Sequence, residues 1–408
     1  MAGWTESPNQ RGTIDILWSC SLTLFTALWT VLHLNVPSAD DGFWTILLRK
    51  IRWGIFAFLA PDMLVGFSAM QFHSAKISVI QMHSIGCVGW NMKHAFYANS
   101  GGFVLGSRDL RPFPVTAASI FYLVSAKHIN CPAISEAEIW DKSKADTFAK
   151  GAALIQSIWL AIQSIARASQ GLTTSPLELF SLAFVLSTIM TYYFWLHKPQ
   201  DVGVPTVLDL TNGTVAEVLS TAGEIASGPF RDTPLDFIEK PLQPWKRRTI
   251  LQRFGLRERP LRRMPDDAVM PNDMSVLTWI LITVPSLMHT AVHLLGWNHR
   301  FPTNIEQQFW RGASVFLATG LPLSTALKAL LNACGCRGQP SLVWIWVQPA
   351  DTRERGWRSM IVDVAMTLIT FCLILARLYI IIESFISLRK LPADAYQVVN
   401  WAELIPHG

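Results

Sequence analysis

Ser135-Glu136-Ala137-Glu138 and Ser175-Pro176-Leu177-Glu178 carry the same device twice. In each, a serine hydroxyl accepts from the third helical amide and a glutamate reaches back to the cap's own N–H, so two orphan donors are satisfied. Proline at the first helical position of the second start loses no hydrogen bond. Lys198-Pro199-Gln200-Asp201 ends the second helix, since proline cannot continue it. Between the two starts, Gln156, Trp159, Gln163, Arg167 and Gln170 are spaced 3, 4, 4 and 3 residues apart. That spacing places them on one helix face. The other residues there are Ala, Leu, Ile and Ser, so a polar and aromatic stripe runs down an apolar rod. Turned to a bundle interior, the stripe lines a cavity; at a water interface, it only holds neighbouring helices.

The whole chain shares this apolar character. Of 408 residues, 50% are hydrophobic and 15% charged, and the mean hydropathy is +0.29. Soluble chains carry about a quarter charged residues, so the shortfall points to a membrane. Seventeen tryptophans include Trp195, Trp297, Trp310 and Trp357 near the ends of expected spans, as an interfacial aromatic belt requires. Cys20, Cys87, Cys131, Cys334, Cys336 and Cys372 show no even, repeated spacing, so no disulfide framework is expected. Cys334-Gly335-Cys336 is too short for the usual zinc pair. Met1 to Arg11 lacks a basic region before a cleavable site, so the first apolar segment is read as retained.

Hydropathy divides the chain into three regions. An N-terminal membrane region, 1–197, has spans near 13–34, 53–72 and 177–196 and a candidate span at 150–166. Residues 198–274 form a polar loop. A C-terminal membrane region, 275–408, has spans near 275–297, 312–333 and 358–385. The fold class is therefore all-α: a polytopic transmembrane helical bundle of about 6–8 spans with one long basic cytosolic loop. Residues 73–132 are ambiguous, with short apolar pieces and a Gly101-Gly102 turn or close approach. Lys246, Arg247, Arg248, Arg253, Arg257, Arg259, Arg262 and Arg263 read as a cytosolic cluster attracted to anionic lipid over 246–263. Few aromatics interleave them, which argues against nucleic acid. The sequon Asn212-Gly213-Thr214 then faces the cytosol, unused. Neither the endoplasmic reticulum nor the plasma membrane is singled out.

Other stretches carry a resemblance. They are Asp141-Lys142-Ser143-Lys144-Ala145-Asp146, Trp4-Thr5-Glu6-Ser7-Pro8 with Arg11-Gly12-Thr13, and Leu32-His33-Leu34-Asn35. His94-Ala95-Phe96-Tyr97, Phe301-Pro302-Thr303, Arg377-Leu378-Tyr379 and Ile405-Pro406-His407 extend it along nearly the whole chain. Together they resemble a large fungal family of multi-pass integral membrane proteins without established activity. The resemblance implies a fold type and a fungal host, and carries over no catalytic residue.

Charged groups inside apolar spans are costly and mark functional candidates. Asp62, after Pro61 near the middle of one run, and Asp363 are the leading acids. Asp363 and Arg377 lie fourteen residues apart, about 21 Å along a helix, so each needs a partner elsewhere. His289 and His293, four apart, share a face and form a candidate metal pair. The leading functional reading is an intramembrane enzyme acting by acid/base chemistry on an apolar, lipid- or terpenoid-like substrate, in keeping with fungal secondary metabolism. Asp62 or Asp363, kept neutral by burial, would protonate the substrate, with Gln156, Trp159, Gln163 and Arg167 as further catalytic candidates and Trp159 stabilising positive charge. The alternatives are a transporter or channel, and a scaffold whose basic loop binds lipid. No phosphate-binding loop or dinucleotide fingerprint occurs, and no cofactor is indicated.

Overall fold

Both serine–glutamate starts cap helices. Ser135 Oγ accepts from the Glu138 amide at 3.2 Å ahead of α6, Glu136–Lys142. Ser175 Oγ accepts from the Glu178 amide at 3.3 Å, and Glu178 Oε2 accepts from the Ser175 amide at 2.8 Å, ahead of α8, Pro176–Phe194. The computed structural model describes residues 2–7, 11–143, 147–210, 213–226, 230, 232–238, 260–266, 276–333 and 357–401. In chain order its elements are α1 Thr13–Val31, α2 Phe43–Leu59, α3 Pro61–Ser84, α4 Met92–Asn99, β1 Phe103–Gly106, β2 Phe113–Pro114 and α5 Ala117–Ser125. After α6 come α7 Thr147–Ser169, α8, β3 Thr206–Asp209, α9 Val215–Ala222, α10 Val276–Leu294, α11 Asn304–Ala333 and α12 Trp357–Ile386.

The protein is mostly helical. Among the described residues four helices are long and apolar enough to cross a membrane: Thr13–Val31, Phe148–Ser169, Pro176–Phe194 and Thr367–Arg389. A fifth is counted if α2 and α3 together make one span. Those two cover the expected span near 53–72, and the chain bends within it. They meet at 111°, because Pro61 has no N–H to give the preceding turn. Ala60 leaves the helical region at φ −143° and ψ 62°, and Pro61 becomes the first residue of a new helix.

Contacts at the helix ends fix the directions. Arg11 pairs with Glu178 where α1 and α8 begin. Gln200 Nε2 donates to the carbonyls of Thr30 at 3.1 Å and Leu32 at 3.0 Å where both end. The two therefore run parallel. α7 runs against them, with Lys150 beside His33 and Arg167 beside the start of α8. One end of the bundle gathers the starts of α1 and α8 and the C-terminal segment, where Ala2 bridges to Leu391. The loop after α10 joins it, with His299 against the Thr174 carbonyl, and the sheet lies at the opposite end.

There the all-α expectation needs correcting. Residues 103–106, 113–114 and 206–209 form a three-stranded sheet, ordered β2-β1-β3, with Val104 opposite Pro114 in the antiparallel pair and opposite Val207 in the parallel one. A four-residue strand and a two-residue strand are too short to show a period of two. Phe96, Tyr97, Phe103, Phe113, Ile120 and Leu123 form a buried core between sheet and helices. Gly101 takes a positive φ of 77°, and a Cβ on Gly102 would collide with the Tyr97 ring. Cys87 and Cys131 are joined by a disulfide, against expectation. A single bridge between residues 44 apart leaves no repeated spacing to read.

The 198–274 segment also contributes structure, through β3 and α9. Of its basic cluster, Arg262 pairs with Asp40, and Arg263 with Asp41 and Asp266 at 3.4 and 3.8 Å. Lys246, Arg247, Arg248, Arg253, Arg257 and Arg259 lie outside the described residues, as do Cys334 and Cys336.

Candidate functional site

The break at Ala60-Pro61 positions Asp62. As the second residue of α3 it sits at a helix N-terminus, where exposed amides favour negative charge. Its side chain is buried. Arg377 Nη1, from α12, donates to Oδ1 at 2.6 Å, and Ser286 Oγ, from α10, donates to Oδ2 at 2.6 Å. Both oxygens accept, the pattern of an ionised carboxylate. By its sequence Asp62 needs a partner, and the structure supplies two, a guanidinium and a hydroxyl. Pro285, inside α10, immediately precedes Ser286. It was the available signal for this third member, which sequence reasoning missed.

His289 and His293 lie on α10 one turn and two turns further along, both buried. Their rings are 5.1 Å apart, nearly perpendicular. His289 Nδ1 meets Ser187 Oγ at 3.0 Å and the Ala183 carbonyl at 3.1 Å, both on α8. His293 stacks on Phe180 and presents its edge to Trp310, and its Nδ1 has no hydrogen-bond partner among the described residues. No group of three or more His, Cys, Asp or Glu side chains that could hold a metal occurs among those residues. α3, α8, α10 and α12 thus hold two sets of polar groups: Arg377, Asp62 and Ser286, and Ser187, His289 and His293. The side chain of Asp363, in the same helix as Arg377, lies outside the described residues.

The stripe on α7 does other work. Gln156 Nε2 donates to Thr23 Oγ1 at 3.2 Å, tying α7 to α1. Trp159 is half exposed and stacks on Trp401 at 5.5 Å. Arg167 is fully buried, and its guanidinium donates to the carbonyls of Thr173, Asp394, Ala395 and Gln397 at 2.7 to 3.1 Å. Gln170 exchanges hydrogen bonds with the Asn400 backbone. Three of the five therefore bind the C-terminal segment, while Gln163 is half-buried without a described bond.

At the other end, Lys198 is the unusual group. Its ammonium donates to Gln71 Oε1 at 3.0 Å and lies 4.6 Å above the Trp195 ring, whose indole donates to the same oxygen at 2.9 Å. Burial, with help from Arg49 and against the pull of Asp266, lowers its pKa to about 7. His33 is pushed down to about 3, first by burial and then by Lys150. Gln200 and Ser143 close this corner through a mutual pair of backbone–side-chain bonds at 3.0 Å.

A family model described as a family of unknown function (DUF8562) matches residues 1–228 and 275–408. No curated protein and no solved structure matches the chain.

Proposed function

The chain belongs to that family of unknown function, and we propose that it is a multi-pass membrane protein working as a proton-coupled transporter. The observation that carries this reading is the Asp62–Arg377 pair, delivered into the helix bundle by the break at Ala60-Pro61. Discontinuous helices whose ends meet charged groups are a device for coupling ions to movement, because the irregular backbone lies inside the protein. Protonation of Asp62 would release Arg377, and the two states of that contact would differ in how α3 sits against α12. Ser286, His289 and Ser187 supply hydrogen-bonding steps beside it.

The enzyme reading is weakened at its acid. Both Asp62 oxygens are already engaged by a guanidinium and a hydroxyl, so neither is open to a substrate. Trp159, offered for cation stabilisation, is stacked on Trp401 instead. The lipid-binding scaffold reading rests on basic residues of 246–263 that lie mostly outside the described ones, and the two described arginines are paired with aspartates.

The test uses purified protein in liposomes with an imposed pH gradient, presented with a panel of small solutes and an entrapped pH dye. A solute-dependent proton flux is expected in the wild type and is abolished in Asp62→Asn. Flux that is the same in a folded Asp62→Asn protein would rule the reading out.

A further inference from the structure

Apart from the proton site, a cavity of about 600 Å³ lies at the end of the bundle that holds the C-terminal segment. That size suits a small organic molecule. Its lining has an apolar and a polar part. Most of the apolar part comes from helices and the residues that flank them: Ile165 of α7, Leu179 and Leu182 of α8, and Leu295 just after α10, with Leu172 and Pro392 added from loops. Most of the polar part comes from loops beyond the helix ends: Thr173 between α7 and α8, His299 and Arg300 after α10, and Asp394 of the C-terminal segment, while Ser164 of α7 spends its hydroxyl on the Leu160 carbonyl of its own helix. An apolar body and a polar head are thus both accommodated.

The opening faces the same medium as the outside of α7. Ile165 and Leu295 are 69% and 67% exposed while lining the cavity. Ile155, Ile158 and Ile162 continue that exposed apolar face along the helix. On a membrane helix such a face meets acyl chains, so a ligand reaches the cavity sideways from the bilayer.

The loops also set the head's charge. Asp394 accepts from Thr173 Oγ1 at 2.5 Å and feels the positive charge of Arg300. His299 is engaged by the Thr174 carbonyl. A cation and an anion together at one rim oppose each other, so a net-charged head would meet a like charge whichever its sign. We propose that this cavity binds a neutral amphiphile drawn from the bilayer, its apolar body between α7 and α8 and a hydroxyl-bearing head at Thr173, Arg300 and Asp394. The site stands independently of proton coupling, since none of its lining residues belongs to the Asp62 cluster.

The experiment uses the full chain in phosphatidylcholine nanodiscs, titrated with a fluorescent monoacylglycerol and, separately, a fluorescent lysophosphatidic acid. Ala168 lines the cavity with an exposed side chain, so Ala168→Trp fills the opening without displacing the core. Saturable binding of the monoacylglycerol is expected, at least tenfold weaker in Ala168→Trp at unchanged Tm, and at least tenfold tighter than the anionic probe. Ile165→Trp, filling the opening from the same helix, gives the same loss should Ala168→Trp lower the Tm. Absence of saturable binding, wild-type binding in both filled variants, or preference for the lysophosphatidic acid would overturn the proposal.

Discussion

Arg377 donates to Asp62 at 2.6 Å, and that contact joins positions 315 residues apart at the point where α2 and α3 meet at 111°. Removing one partner strands the other charge in a buried site. Asp62→Ala or Arg377→Ala should therefore destabilise by about 3–5 kcal/mol. Asp62→Leu combined with Arg377→Met should recover most of that loss, because two apolar side chains leave no charge to solvate. Denaturant unfolding in detergent, followed by tryptophan fluorescence, checks the cycle; additive losses in the double variant would show that the two do not act as a pair.

Arg167 is the latch of the C-terminal segment, with four carbonyls on one guanidinium. Arg167→Ala should cost at least about 3 kcal/mol, since several buried acceptors lose a charged donor at once. Arg167→Lys should not restore it, as an ammonium cannot spread its donors across that fork. Limited proteolysis should cut within residues 391–401 in both variants and spare the wild type.

Stability should depend on pH through Lys198 and His33. Between about 7 and 10.5 the unfolded chain holds a proton on Lys198 that the folded chain does not, so stability rises with pH across that window. Between about 3 and 6.5 the same holds for His33, so stability falls as the pH drops through it. Lys198→Met should flatten the alkaline limb of a Tm-against-pH curve and leave the acid limb in place.

The Cys87–Cys131 bridge bears on orientation. Disulfides persist in oxidising compartments, whereas the arginines of 246–263 had placed the same end of the bundle in the cytosol. Arg262 and Arg263, the described members, are matched by Asp40, Asp41 and Asp266. The disulfide should therefore prevail. Asn212 itself lies outside the described residues. Expression in a eukaryotic host should yield a chain that loses one glycan on endoglycosidase treatment and has no reactive thiol at 87 or 131. An unshifted band with both thiols free would return that end to the cytosol. Cys87→Ser should cost about 2–4 kcal/mol.

Much of the helical frame was legible because its signals are local. Ser135, Ser175 and Pro199 mark starts and a stop by chemistry that acts within one turn. The apolar runs at Thr13–Val31 and Pro176–Phe194 announce themselves by length. What was hidden depended on chain geometry. Pro61 was visible, but the angle it imposes depends on what α3 packs against. The sheet was hidden because β3 joins β1 from about a hundred residues away. At the site, Asp62 and Arg377 were each legible as costly charges needing partners; that they are each other's partner is a tertiary fact. Arg167 was read as a cavity-lining group, since periodicity shows a face without showing what covers it.

The most direct measurement compares solute-driven proton flux in liposomes for the wild type and for the Asp62→Leu/Arg377→Met protein. The double variant keeps the packing and loses every exchangeable proton of the pair. The account predicts a folded protein with wild-type incorporation and no flux. Flux at the wild-type rate in that protein would make the pair a structural tie and contradict the claim that it is where the proton couples.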